Sequence, residues 1–190
     1  MTSDGGDAAD GPADPAREPA CGFDAKAAAA LPDASLRAER PDDAVFLTSL
    51  FMRCSPLRGM VPDAMLEMQA HLQRSQYQAN HPDAMRRIVV QRESPIARIM
   101  IDWAAGGRCH LVDLAVDPAR QRSGVGLALL RAWVDVADAA HRRCSLSVLA
   151  DNPARALYAR LGFVPCGESA PPYVQMERPL GGLQEPARRT

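Results

Sequence analysis

The run from Val112 to Leu130 constrains the fold more than any other stretch of this chain. It begins as an apolar strand, turns at Pro118, passes Gly124 and Gly126, and continues as an apolar helix. The first amides of a helix lack internal acceptors, and a helix N-terminus carries roughly half a positive charge. Because the two glycines have no Cβ, a ligand oxygen can approach these amides closely. The run therefore predicts a strand, turn and helix that bind a phosphate-bearing ligand.

Neighbouring residues narrow the choice of ligand. A P-loop ends in Gly-Lys-Ser/Thr, whereas Gly126 is followed by Leu127 and Ala128, so no nucleoside triphosphate site is indicated. A dinucleotide fingerprint has a third glycine three residues on, where this chain has Leu129, and it opens a domain instead of lying mid-chain. A Rossmann protein is therefore the weaker alternative, and it predicts thermal stabilisation by NAD.

A second segment, from Asn152 to Phe163, predicts one short helix with both ends marked. Asn152 suits a side-chain N-cap, Pro153 suits the first helical position, and Gly162 suits the C-terminal cap. Apolar residues spaced four apart, Tyr158 included, give the helix a narrow stripe that packs on a sheet.

Together the two segments resemble the GCN5-related N-acetyltransferase (GNAT) family. Gln121-x-x-Gly124-x-Gly126 is similar to the family's pyrophosphate loop, and the second segment matches its spacing at Asn152, Ala156, Tyr158, Gly162 and Phe163. The resemblance covers about residues 36–179. Gln73-x-x-Gln76-Tyr77, followed by Pro82-Asp83 and a strand, is similar to a bacterial single-domain subgroup of unknown acceptor. It implies acetyl-coenzyme A (acetyl-CoA) as co-substrate. It also implies an α/β fold in which a mixed sheet splays between its fourth and fifth strands.

The resemblance assigns cofactor-binding residues. The main chain of Leu114, Ala115 and Val116 is expected to pair with the pantetheine amides. The loop opened by Gln121 is expected to bind the pyrophosphate through the amides of Arg122, Ser123, Gly124, Val125 and Gly126. Asn152 and Arg155 complete the set, and the arginines available for the ribose 3′-phosphate are Arg120, Arg122, Arg155 and Arg160.

Catalysis requires a proton acceptor and a proton donor. By its place in the family pattern, Tyr158 is the candidate that protonates the departing thiolate, whose conjugate acid has a pKa near ~8.5. His110 and Asp113 are the candidate bases for the acceptor amine, and a water chain in place of both stays open. Strand alternation sends these two residues to opposite faces, so without a bulge only one faces the acceptor. A backbone N–H of the 114–116 strand is expected to stabilise the oxyanion.

Composition divides the chain into three parts. Residues 1–34 are rich in Ala, Asp and Pro with almost no large apolar side chains, which predicts a disordered arm. Residues 35–179 are expected to form a single acetyltransferase domain, and residues 180–190 a flexible tail. Within the domain, the patterns predict a strand, two helices, three strands, a helix, a strand, a helix and two strands. In the second helix, Met65, Met68 and Leu72 form a stripe that either joins the core or lines the acceptor pocket.

Several function classes are disfavoured by composition. A formal net charge of −1 gives no electrostatic case for nucleic acid, and no stretch approaches the ~20 apolar residues of a membrane span. Asp4, Asp7 and Asp10 stand where a secretory signal has basic residues, so a cytoplasmic protein is expected. No metal site or disulfide framework is expected, because the five cysteines are widely spaced: Cys21, Cys54, Cys109, Cys144 and Cys166.

The predicted function is transfer of an acetyl group from acetyl-CoA to a primary amine, by direct attack in a ternary complex. The acceptor is a small molecule or a peptide, and a homodimer stays open. The alternative is a non-catalytic acyl-CoA-binding regulatory module, in which the loop is intact but no acceptor is acetylated.

Overall fold

A computed structural model describes residues 17–103, 107–167 and 171–180. From the first strand onward, the order of elements confirms the one predicted from the sequence. The elements are α1 (Arg17–Ala30), β1 (Ala34–Ala38), α2 (Ala44–Cys54), α3 (Asp63–Asn80), β2 (Met85–Gln91), β3 (Ser94–Asp102), β4 (Arg108–Val116), α4 (Val125–Ala139), β5 (Arg143–Leu149), α5 (Arg155–Arg160), β6 (Val164–Pro165) and β7 (Tyr173–Arg178).

Seven strands form one mixed sheet in the order β1-β2-β3-β4-β5-β7-β6. Neighbouring strands are antiparallel except β4 and β5, which are parallel. These two strands pair only as far as Leu111 and Leu146, although β4 continues to Val116 and β5 to Leu149. The second half of each strand therefore diverges from the other, which confirms the expected splay at the centre of the sheet.

A bulge interrupts β4 where the divergence begins. Met100 of β3 pairs with Asp113, but the next residue of β3 pairs with Leu111, so Val112 is an extra residue in β4. An extra residue reverses the alternation of side chains beyond it. As a result Asp113 and His110 lie on the same face of the sheet, and the expectation of opposite faces is wrong.

The two faces of the sheet carry different helices. On one face, α4 buries Trp133 completely, and its ring stacks on Phe163 at 5.5 Å between centroids. On the other face, α2 and α3 bury Leu50 and Leu66. Asp113 and His110 lie on this second face of the sheet.

The predicted disordered arm is wrong for the residues that the structure describes. Residues 17–30 form α1, which packs against α4 with Phe23 and Ala27 fully buried. Phe23 is the one aromatic side chain of α1, and the small residues around it let α1 and α4 approach closely. Asp24 also accepts hydrogen bonds from Nε and Nη2 of Arg87 in β2 at 2.8 and 2.9 Å. Residues 1–16 and 181–190, with most of the predicted tail, lie outside the described residues.

The predicted apolar stripe of α3 does not join the core. Met65, Met68 and Leu72 are 43%, 64% and 58% exposed, while Leu66 and Ala70 are buried instead. The core interpretation of the stripe is therefore wrong. In the described part of the chain, no helix combines the length and apolarity needed to cross a membrane.

Candidate active site

The divergence of β4 and β5 opens a cleft of about 240 Å³. Its walls come from α3, β4, β5, the turn after β5, α5 and β7. The lining residues are Gln73, Tyr77, Leu111, Val112, Asp113, Leu114, Leu146, Ser147, Val148, Leu149, Asn152, Tyr158 and Tyr173. Because β4 and β5 no longer pair here, the backbone edges that face the cleft are available to a ligand.

The predicted pyrophosphate loop follows β4 directly and ends at the first turn of α4. Gly124 is the N-cap residue of this helix with φ of +92°, and Arg122 also has a positive φ, +61°. Gln121 donates from Nε2 to the carbonyl oxygen of Val116 at 3.1 Å, and Ser123 donates to that of Arg120 at 2.6 Å. The Gln121 contact folds the loop back on the end of β4. The first amides of α4 have no acceptor within the helix.

Side chains that the sequence did not single out tie this loop to α2. Arg53 donates from Nη2 to Oδ2 of Asp117 at 2.9 Å, and its other terminal nitrogen contacts Ser49. Asp117 in turn accepts a hydrogen bond from the backbone of Ala119 at 3.0 Å. The Asp-Pro turn was visible in the sequence, but its partner, 64 residues away, gave no local signal.

Tyr158 lies on α5 with its ring against Phe163, edge to face at 6.1 Å, and it lines the cleft. Only 8% of the residue is exposed. Burial, with a smaller contribution from the charge of Asp113, raises the pKa of the Tyr158 phenol to about 12. The phenol is therefore protonated at neutral pH and can donate a proton or a hydrogen bond into the cleft.

Asn152 and Arg155 shape the turn between β5 and α5. Asn152 accepts from the backbone N–H of Ala154 at 2.9 Å, and Arg155 donates from Nη1 to the carbonyl oxygen of Ala150 at 2.6 Å. Asn152 also lines the cleft. The helix begins at Arg155, three residues after the predicted cap, because the first turn is closed by shorter hydrogen bonds of the 3₁₀ type.

Replacing Asn152 by Ala should lower the free energy of unfolding by about 1 kcal/mol, since the hydrogen bond that starts this turn is lost. Chemical denaturation measures the change. Asn152→Asp keeps an oxygen acceptor and should stay within a few tenths of a kcal/mol of the wild type. Equal destabilisation by both substitutions would contradict the capping role.

Asp113 belongs to a cluster of charged groups on the α3 side of the sheet. Its Oδ2 accepts from Nη1 of Arg98 at 3.1 Å, and Nε of the same guanidinium donates to Oε2 of Glu39 at 2.9 Å. The guanidinium also lies over the ring of Tyr77, 5.6 Å from its centroid. Burial raises the pKa of Asp113, while the charge of Arg98 opposes that rise.

His110, the other candidate base, has different surroundings. Its Nδ1 is 3.0 Å from Oγ of Ser145, and its ring stacks on His81 at 6.0 Å between centroids. His81 is paired with Asp102 at 2.7 Å. Burial and the neighbouring His81 lower the pKa of His110. The structure thus brings Asp113 and Tyr158 to the cleft, and places His110 outside its lining.

The described residues contain no group of three or more His, Cys, Asp or Glu side chains arranged to hold a metal. Two of the cysteines, Cys109 and Cys144, face each other across β4 and β5 with their Sγ atoms 3.6 Å apart, and both are fully buried.

Comparison with known families identifies the fold. The chain matches the acetyltransferase (GNAT) family over residues 46–163, more than half of its length. It belongs to this family. The matched region contains the splayed strands, the loop before α4 and Tyr158, so the GNAT resemblance inferred from the sequence is confirmed.

Solved structures share the fold of this GNAT protein. PaiA N-acetyltransferase from Thermoplasma acidophilum, in complex with coenzyme A, is 16% identical with a TM-score of 0.61, covering 77% of this chain and 98% of that one. The ribosomal-protein-S18-alanine N-acetyltransferase from Escherichia coli is 20% identical with a TM-score of 0.57, covering 80% and 97%.

A sequence relative matches over a shorter stretch. Mycothiol acetyltransferase from Clavibacter sepedonicus is 47% identical over 60 residues. That stretch is 30% of this chain, and it spans only 20% of the relative's length.

Proposed function

We propose that this GNAT protein transfers the acetyl group of acetyl-CoA to a primary amine by direct attack in a ternary complex. The observation that carries the proposal is the make-up of the cleft, which is lined by a partly buried carboxylate, Asp113, and a protonated phenol, Tyr158. The strand that forms one wall of this cleft, β4, leads directly into the loop that opens α4. Family membership supports acetyl transfer, and a structural neighbour that contains coenzyme A supports the donor.

For the donor, we assign the pyrophosphate to the amides of residues 122–126 and the pantetheine to the unpaired edge of β4 at residues 114–116. Gln121 holds the loop in place through its hydrogen bond to Val116. Asn152 forms the opposite wall of the cleft. In Arg155, Nη1 is bonded to Ala150 and Nε is buried, so Nη2 is the nitrogen that we assign to the cofactor.

For the reaction, acetyl-CoA supplies an acetyl group activated as a thioester. An amine with a pKa of ~10.4 is only about 0.04% neutral at pH 7, so Asp113 is proposed to take a proton from the ammonium group. A backbone N–H of residues 114–116 stabilises the oxyanion as the C–N bond forms. When the C–S bond breaks, Tyr158 donates its proton to the sulfur and recovers one from the nitrogen.

An amine panel tests the proposal. Purified protein, acetyl-CoA and primary amines of three classes (polyamines, amino sugars and peptide N-termini) should yield free thiol and a product heavier by one acetyl group with at least one class. Two of the classes are chosen from the names of structural neighbours. One is a ribosomal-protein-S18-alanine N-acetyltransferase, and another is a spermidine N-acetyltransferase. Coenzyme A binding without acetylation of any amine would favour a non-catalytic acyl-CoA module.

Replacing Gly126 by Val should weaken acetyl-CoA binding at least about tenfold, because a branched side chain covers the amides that approach the pyrophosphate. The fold should tolerate the change, since a Cβ at Gly126 would lie 3.8 Å from Cγ2 of Val116, an ordinary contact. Calorimetric titration with acetyl-CoA measures the affinity, and thermal unfolding measures the stability.

Gly126→Ala is the matched control, because it adds the Cβ without the branch. Its affinity for acetyl-CoA should lie between those of the wild type and Gly126→Val. If Gly126→Val bound acetyl-CoA as tightly as the wild type, the loop assignment would be wrong.

A further inference from the structure

Arg98 is shared by two carboxylates. It lies in the middle of β3, only 6% exposed, and it binds Glu39 through Nε and Asp113 through Nη1. The side chains of Glu39 and Asp113 are 14% and 21% exposed. When all three groups are ionised, this poorly hydrated cluster contains two negative charges and one positive charge.

An excess negative charge in such a place is costly, so the charge of Glu39 makes Asp113 a stronger proton acceptor than an isolated carboxylate. The two carboxylates differ in access, because Asp113 lines the cleft and Glu39 is not among the residues that line it. The charge of Glu39 raises the pKa of Asp113 beyond the effect of burial, while Arg98 and the backbone N–H of Leu114 lower it. Asp113 is therefore the carboxylate of the cluster that can take a proton from an acceptor in the cleft.

Three other titratable groups near Asp113 hold their protons near pH 7. Burial raises the pKa of Tyr77 on α3 well above its usual value, that of Tyr158 on α5 to about 12, and that of the Cys54 thiol on α2 to about 11. Tyr173 of β7 lines the same cleft. Arg98 and Glu39 are therefore the groups whose charge sets the protonation of Asp113.

Resting on the proposed function, we propose that Arg98 and Glu39 are positioning residues that hold Asp113 as an ionised carboxylate in the cleft, ready to take one proton from the acceptor amine. In each turnover, Asp113 takes a proton from the ammonium group, which becomes a neutral amine, and later releases that proton to water. The cluster then has the charge with which it started. The acetyl transfer itself forms the C–N bond and releases the thiol.

Glu39→Gln tests the inference, because it keeps the shape of the side chain and removes one negative charge. With less repulsion, Asp113 should hold its proton less tightly, so the acidic limb of kcat/KM against pH should move to lower pH by roughly one unit. Arg98→Gln removes the positive charge and should move the limb to higher pH. Opposite shifts from two neutralising substitutions in one cluster are not a result that general damage to the fold produces.

Asp138→Asn is the matched control. It takes a carboxylate away from another buried arginine, Arg178, which Asp138 binds through two hydrogen bonds between α4 and β7. This variant should lose stability and leave the acidic limb in place. If Arg98→Gln does not fold, Glu39→Gln and the control still decide the question.

A second readout needs no turnover. Carbon-13 NMR titration of labelled aspartate carboxyl groups, with the Asp113 signal assigned by its loss in Asp113→Asn, should show the same downward shift in Glu39→Gln. If the wild type acetylates an amine but neither the limb nor the NMR titration moves in Glu39→Gln, the inference is overturned and the proposed function stands. If coenzyme A binds and no amine is acetylated, both are overturned.

Discussion

Replacing Tyr158 by Phe should lower kcat by about 100-fold, since the departing thiolate loses its proton donor. Acetyl-CoA binding should stay within about twofold of the wild type, because the ring still packs edge-on against Phe163 and only the hydroxyl is lost. Steady-state rates with the best acceptor of the panel, together with calorimetric titration of acetyl-CoA, separate these two effects. The loss should persist from pH 6 to pH 9, because the pKa of the phenol is raised to about 12 and its protonation does not change in that range.

Tyr173→Phe removes a hydroxyl from the same cleft at a residue that is 50% exposed. Its effect on kcat should be less than about threefold, since water can replace an exposed hydroxyl. A Tyr158→Phe variant as active as Tyr173→Phe would show that the thiolate leaves without help from this phenol.

Both parts of the site that were predictable are short and local. The loop from Gln121 to Gly126 and the capped helix after Asn152 are each encoded within a dozen residues, by glycines where the backbone needs a positive φ or a close approach and by a side chain that caps a turn. Such signals depend on backbone geometry, so they survive when the rest of the sequence diverges. They were enough to infer the fold, and they are the basis of the proposals for the donor and for Tyr158.

What the sequence left hidden depends on contacts between distant residues. Glu39 and Arg98 are 59 residues apart, and nothing near either one indicates that it has a buried partner. The sequence also gives no signal for the extra residue in β4. Val112 is an ordinary strand residue, and the bulge is seen only in the register with β3. Without the bulge, Asp113 could not be placed on the face of the sheet that carries α3.

The N-terminal helix shows a related effect. Residues 17–30 have a composition typical of a disordered arm, yet Phe23 and Ala27 are fully buried in the core and α1 packs against α4. Tertiary packing outweighs local composition here, as it does for short helices in general. The exposed stripe of α3 is the opposite case, since its apolar periodicity predicted burial that the sheet does not provide.

Replacing Asp113 by Asn should lower kcat/KM for the acceptor by about 100- to 1000-fold and remove the acidic limb of its pH profile. A base works when it is deprotonated, so the wild-type rate falls as the pH drops through the pKa of Asp113, which burial raises above its usual value. Asn cannot take a proton at any pH, and its profile should follow only the ionisation of the acceptor amine, which contributes equally to both proteins. Initial rates between pH 5 and pH 9 give the two curves.

His110→Gln separates the two candidate bases. His110 lies outside the lining of the cleft, bonded to Ser145 and stacked on His81, so its replacement should leave the acidic limb at the wild-type pH and change kcat/KM by less than about fivefold. The opposite pattern, with the limb lost in His110→Gln and kept in Asp113→Asn, would move the base from the carboxylate to the imidazole. Wild-type profiles in both variants would leave proton removal to water, because no other ionised side chain of the described residues lines the cleft.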